Sequence, residues 1–297
     1  MTITTETSGR CSTGKARRAG AGPTGLTGIN IALTGGDRTP ACNTSTTPDC
    51  PGTGYNNYTL EIMQRIGNDS FTPGHGVLLS KTKNSDSPPF VWIIDSHPED
   101  FNRVDFNRPN GEPSMVSFGD YRQLADATFN AGLNSGSQFE YVDTANSVHL
   151  YVVNVHKDAQ GVLSYTIGVR SLAGAGPHTR GVFVGNDGQR TATKYATCNF
   201  RLRNKGTTAA VPAGQPEDVS AYVTNDVYRL SASATGAGWS AQIFNELAAV
   251  KVGTAITVPV RVTPSAGSAS STTVALTATS ESDPSKTATG TCPVVKG

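Results

Sequence analysis

From about Thr191 to Cys292 the chain alternates inward and outward residues through one short run after another, with a cysteine near each end of the stretch. Cys198, Phe200 and Leu202 share one face, with Arg201 and Arg203 on the other. Tyr228, Leu230, Ala232 and Ala234 form a second inward set, and Trp239, Ala241 and Ile243 a third. Ile256, Val258, Val260 and Val262 form a fourth, Val274, Leu276 and Ala278 a fifth, and Gly290 and Cys292 a sixth. A period of two belongs to strands, whose successive side chains point to opposite faces. Runs of this kind with almost no helix signal predict an antiparallel, immunoglobulin-like β-sandwich over residues 191–297. Cys198 and Cys292 would both point into its core. A bridge closing so long a loop contributes on the order of 4 kcal/mol in the chain-entropy model.

Ahead of this stretch the signals are mixed. Val148 to Val155 and Val162 to Arg170 flank the turn Lys157-Asp158-Ala159-Gln160-Gly161, and Leu163, Tyr165, Ile167 and Val169 alternate, which predicts a hairpin. Gly76 to Ser80 and Phe90 to Asp95 are short apolar runs bounded by Pro, Gly and Asn, as strands buried on both faces are. Two helices are expected. In YTLEIMQRIG, residues 58–67, Thr59 offers a cap, Ile62, Met63 and Ile66 share a helical face, and Gly67 is a natural stop. Asp120 caps a second helix through Ala131, with Leu124, Ala127 and Ala131 at helical spacing. Residues 1–57, rich in Gly, Thr, Pro and Asn with a brief apolar patch from Leu26 to Leu33, read as irregular and partly disordered. Residues 176–190, with Pro177 and GNDGQ, read as a linker. The expected fold class is mainly β: an α+β domain over 58–175, the linker, then the sandwich.

Charge and cysteine usage narrow the function classes. A net charge of +1 gives no basic excess for replacing the counterions of a nucleic acid. No apolar run approaches the roughly 18 residues of a membrane span. None of the five cysteines sits in a CxxC pair, which removes zinc-ribbon and thioredoxin readings. Cys42 and Cys50 bracket a polar loop and Cys198 and Cys292 bracket the alternating segment, so four of the five pair plausibly and Cys11 is left over. Such pairs point to an oxidising compartment outside the cytoplasm. Residues 1–20 hold no apolar signal-peptide core, and the expectation is a truncated or mis-called start.

Catalytic signatures are missing. The sequence contains no HExxH, no GxSxG elbow, no GxxxxGK[ST] phosphate loop and no EF-hand pattern. The densest polar cluster is Asp95-Ser96-His97-Pro98-Glu99-Asp100, after a predicted strand. Asp95, Glu99, Asp100 and Asp105 could offer oxygen ligands to calcium, and a hydrolase would need His75, His149 or His156 brought to that loop. The plainer reading of the loop is a solvated turn. Tyr55, Tyr58, Tyr195, Tyr222 and Trp239 are candidates for a carbohydrate-stacking platform, though a Trp in GAGWSAQ is more naturally a core anchor.

Three stretches carry a resemblance: GYNNYTLEIMQRIGNDSFTPGHGVLLSKTKN, FVWIIDSHPEDFNRVDF and SMVSFGDYRQLADATFNAGLNSGSQFEYVD. They resemble actinobacterial members of the immune-inhibitor-A-type zinc metallopeptidase family. GINIALTGGDRTPAC is similar to the connecting region just before them, and the segment from CNFRLRNKGTTAA to the last cysteine looks like the β-sandwich appended to such secreted enzymes. The resemblance implies zinc in the family and an extracellular location. It transfers no catalytic residue here, because the family's zinc ligands come from an HExxH helix that this sequence lacks. The expectation is a non-catalytic C-terminal portion of a secreted metallopeptidase-like protein, inactive alone, with an accessory structural role. It would hold no cofactor of its own apart from a possible calcium. Its partner would be the missing catalytic half, or a second copy through exposed apolar surface. The alternative is an extracellular binding module for cell-wall glycan or a surface protein.

Overall fold

The computed structural model describes residues 10–15, 28–33, 35–43, 50–66, 70, 74–98, 104–107, 110–115, 127–176, 178–210, 213 and 223–297. Among them lie twenty strands, and the helical geometry is confined to residues 223–224. The mainly β expectation holds.

The front half carries β1 (Arg10–Lys15), β2 (Gly28–Ala32), β3 (Asn57–Met63), β4 (Gly76–Thr82), β5 (Val91–Ile93), β6 (Val104–Asn107), β7 (Pro113–Met115), β8 (Thr128–Phe129), β9 (Glu140–Asp143), β10 (Val148–Lys157) and β11 (Leu163–Ser171). One sheet has the order β2-β3-β4-β5, with β8 also on β4, and a second has the order β1-β11-β10-β9. Between them sits one core. Ile29, Ile31, Tyr58, Leu60, Val77 and Leu79 come from the first sheet, and Val148, Leu150, Val152, Tyr165, Ile167 and Val169 from the second. The predicted hairpin is present as β10 and β11, with Leu150 opposite Val169 and Val152 opposite Ile167.

The first predicted helix is instead β3. It pairs with β2 and β4, Leu60 lying opposite Ile29 and Leu79. Tyr58 and Leu60 point inward at a period of two, and the helical spacing of Ile62, Met63 and Ile66 was incidental. Most of the second predicted helix lies outside the described residues; its end, Thr128–Phe129, is a strand. Residues 1–57, expected to be irregular, supply β1 and β2, and Ile29, Ile31 and Leu33 alternate into the core. The run from Phe90 was expected to be buried on both faces. It forms edge strand β5, with Phe90 50% and Val91 52% exposed.

The rear half carries β12 (Val182–Gly185), β13 (Arg190–Ala192), β14 (Ala196–Asn204), β15 (Asn225–Ala234), β16 (Trp239–Gln242), β17 (Leu247–Lys251), β18 (Ala255–Pro264), β19 (Ser271–Ser280) and β20 (Thr287–Lys296). Two sheets, β12-β14-β18-β16 and β13-β20-β19-β15-β17, face each other across a core holding Phe200, Leu202, Tyr228, Val260, Val262, Val274 and Leu276. All predicted inward sets contribute except Ile256, which is partly exposed. Part of the expected linker is built into these sheets: β12 pairs with β14, and β13 runs parallel to β20.

The halves pack through β10, which is buried on both faces over its first six residues. Tyr151 and Val153, on the face turned away from the front core, meet Val227 and Leu247 of the rear half. The approach is close at Gly168, where a Cβ would stand 3.0 Å from Val227 Cγ2 and 3.1 Å from the Tyr151 ring. A larger residue there would push β11 off β15.

Candidate functional site

The structure tests the sequence-derived sites unevenly. Asp95 is described, and its Oδ1 accepts the backbone N–H of His97 at 2.8 Å, the local bond of an Asx turn. Ser96 donates to the Thr128 carbonyl at 3.1 Å and lies 3.0 Å from His97 Nδ1. Glu99, Asp100 and the Asp105 side chain lie outside the described residues. Cys42 is joined to Cys50 and Cys198 to Cys292. Of the candidate platform aromatics, Tyr55 and Tyr58 are fully buried. Trp239 is 8% exposed and donates Nε1–H to the Ala269 carbonyl at 2.9 Å. Tyr195 is half-exposed with the Arg261 guanidinium 4.6 Å over its ring, and Tyr222 lies outside the described residues.

Among the described residues, one group of three His, Cys, Asp or Glu side chains is close enough to share an ion: Asp187, Cys198 and Cys292. The two cysteines are bonded to each other, so neither offers a thiolate, and the Asp187 carboxylate already takes Arg190 and the backbone N–H of Asn199 and Gly188. The donor set does not suit the zinc that the resemblance implies, which takes deprotonated sulfur or imidazole in tetrahedral sites.

Two charged networks that sequence reasoning missed organise the molecule. The first lies in the front half. Lys81, on β4, is 2% exposed, and its ammonium donates to Asp143 Oδ2 at 2.9 Å and to Thr39 Oγ1 at 2.7 Å. Asp143 ends β9. It also accepts the Tyr58 hydroxyl, the Asn146 amide Nδ2 at 2.9 Å and the Asn146 backbone N–H at 3.0 Å. The turn after β9 is closed by Ser147 at φ 54°, which brings Asn146 back over the carboxylate. Asp37 stands behind, 3.7 Å from the ammonium, its Oδ1 accepting from Asn146 and from both the backbone and hydroxyl of Thr39. Burial pushes the Asp143 carboxyl up, but hydrogen bonds from Tyr58, Lys81 and Asn146 outweigh it and hold it at about 2. Burial and the bond to Asp143 drive the Tyr58 phenol far upward.

The second network bridges the halves. Arg229 on β15 donates to Glu140 of β9 at 2.5 and 3.2 Å, and through Nε to Glu281 at 2.7 Å. Tyr151 donates to Glu281 at 2.7 Å and accepts from Arg170 Nε at 2.6 Å. His149 stacks on Tyr151 with ring centroids 4.0 Å apart, and its Nε2 lies 3.0 Å from Glu140. Burial raises the Glu140 carboxyl, but bonds from His149 and Arg229 and the Arg229 charge bring it down to about 2. Beside this network Asp226 is buried, accepting Ser280 Oγ at 2.7 Å and Ser282 Oγ at 2.9 Å, with Arg180 at 3.5 Å; burial raises its carboxyl. The sequence gives these residues no local signature, since the partners lie on strands far apart in the chain.

With this geometry in place, comparison with known proteins assigns the chain to a class. A family model described as a middle domain matches residues 6–172, and one described as a Peptidase M6-like domain matches residues 179–296. The first covers more than half of the chain, which therefore belongs to that middle-domain family and carries a Peptidase M6-like domain behind it. The chain is also 46% identical over 282 residues to a protein of Arthroderma benhamiae named "Putative secreted metallopeptidase". That match takes in 92% of this chain and 41% of the relative, so the chain spans about two fifths of the relative's length. The metallopeptidase relationship of the resemblance is supported; its actinobacterial and immune-inhibitor-A-type particulars are not shown.

Proposed function

We propose that this chain is a non-catalytic portion of a secreted, zinc-metallopeptidase-like protein, and that its role is to form a rigid support for the peptide-hydrolysing part. The observation that carries the reading is the closure of the network between the halves, where Arg229 spans Glu140 and Glu281 and Tyr151 donates to Glu281, and the direction of the protonation shifts agrees with it. General acid–base groups are tuned toward the working pH. In the network that joins the halves Glu140 is pulled down to about 2, while Tyr151 and Arg229 are driven up. These groups stay in one protonation state across the neutral range, as members of a structural lattice do. The half-exposed Phe90 and Val91, just before and at the start of edge strand β5, offer an apolar place for the catalytic part to pack. The rear half, with two facing sheets and a bridge from β14 to β20, supports an immunoglobulin-like reading, and the chain's two disulfides, one in each half, support an extracellular one.

The test is an assay of the purified chain on denatured casein with added zinc. The expected result is no hydrolysis above the protein-free control. Hydrolysis abolished by a zinc chelator would overturn the proposal.

A further inference from the structure

The Lys81 cluster brings together an amine, a primary amide and a carboxylate with a common contact atom. Asp143 Oδ2 lies 2.9 Å from Lys81 Nζ and 2.9 Å from Asn146 Nδ2. Thr39 Oγ1 touches the same two nitrogens, at 2.7 and 3.4 Å. The far end of the amide is fixed too, since Asn146 Oδ1 accepts the backbone N–H of Arg38 at 2.9 Å. All three side chains are secluded: Lys81 is 2%, Asn146 7% and Asp143 8% exposed. A plain ion pair needs the amine and the carboxylate. It does not need an amide whose nitrogen shares the carboxylate oxygen and whose oxygen faces an N–H donor.

We propose that Lys81 and Asn146 become joined by an intramolecular isopeptide bond, with Asp143 carrying the protons. The Asp143 carboxylate takes one proton from the Lys81 ammonium along their hydrogen bond. The neutral Nζ then attacks Cγ of Asn146, and the negative charge that develops on Oδ1 meets the Arg38 N–H. Asp143 passes its proton to Nδ2 and takes a second from Nζ as the old C–N bond breaks and ammonia leaves. One C–N bond forms, one C–N bond breaks, nothing is oxidised or reduced, and the carboxyl is left protonated. The Lys81–Asp143 ion pair is replaced by a neutral amide and a neutral acid, which removes the desolvation cost of that pair. The first proton transfer runs uphill, because the hydrogen bonds on Asp143 favour its charged form. A reaction that occurs once per molecule and releases ammonia tolerates a slow step. The bond would tie β4 to the turn between β9 and β10, across the two front sheets.

The experiment is intact mass spectrometry of the folded, disulfide-bonded chain, followed by tryptic peptide mapping. The expected wild type is lighter by one ammonia, trypsin does not cleave after Lys81, and a branched peptide contains Lys81 and Asn146. Lys81→Arg and Asp143→Ala are expected at full mass. Wild type that keeps its full mass through prolonged incubation overturns the proposal, whether or not the variants fold. So does loss of ammonia without a branched peptide, which marks a succinimide at Asn146. A branched peptide lighter by water overturns Asn146 as the acyl donor and points to an aspartate.

Discussion

Tyr58 is fully buried, and its hydroxyl is one of four donor groups on Asp143. Tyr58→Phe keeps the ring and removes one hydrogen bond from a buried carboxyl group, a change that costs roughly 0.5–3 kcal/mol. Urea unfolding should show a lower midpoint with an unchanged slope. Glu140 gives a second test. Its carboxyl is held at about 2 against an ordinary 4.5. A depressed carboxylate stabilises the fold fully above its unfolded value, and the gain is lost as pH falls toward the folded value. Melting temperature should therefore drop as the pH is taken from about 4.5 to about 2, and Glu140→Gln should flatten that drop. Asp226, with a raised carboxyl, works in the opposite sense and offsets part of it. At this scale the sequence was uneven. The two cysteine pairs were readable from what they bracket. Lys81 was not: in SKTKN it looks like Lys83, and only the return of Asp143 and Asn146 from more than sixty residues away explains why one lysine is buried.

Strands were legible where one face alone is buried. β14 reads inward at Cys198, Phe200 and Leu202 and outward at Arg201 and Arg203, because one side meets the core and the other meets water. β3 was misread for the opposite reason. It is seven residues long, it has sheet neighbours on both sides, and a short apolar run fits either period. β2 carried a usable alternation at Ile29, Ile31 and Leu33, masked by the Gly- and Thr-rich composition around it. The bond between β14 and β20 makes a prediction at this level. Replacing both Cys198 and Cys292 by serine should cost roughly 2–5 kcal/mol, read as a lower melting temperature, with the front half less affected.

The whole molecule unfolds as its halves are coupled. Arg229 reaches Glu140 in the front half and Glu281 in the rear, while Tyr151 and Val153 meet Val227 and Leu247 beside it. Calorimetry of the wild type should give one transition. Arg229→Ala leaves Glu140 and Glu281 without their shared cation, and about 2 kcal/mol of coupling is lost. The heat-absorption peak should then split or broaden into two, and a single sharp peak would show that the apolar contact alone joins the halves. None of this interface was legible beforehand. Val148 to Val155 was read as the outgoing strand of a hairpin, and its burial on both faces, with what lies against the second, shows only in the structure.

The rear half also has a mechanical character. β13 and β20 lie side by side and parallel, so a pull applied at the start of one and the end of the other loads their hydrogen bonds together, in shear. Behind that ladder stands the Cys198–Cys292 bond, which encloses most of the domain's chain in a covalent loop. Tension along the backbone can draw out only the short segments on either side of the loop, and the force then passes through sulfur instead of through β15 to β19. A protein tethered outside a cell could be stretched at this domain without β15 to β19 being drawn out.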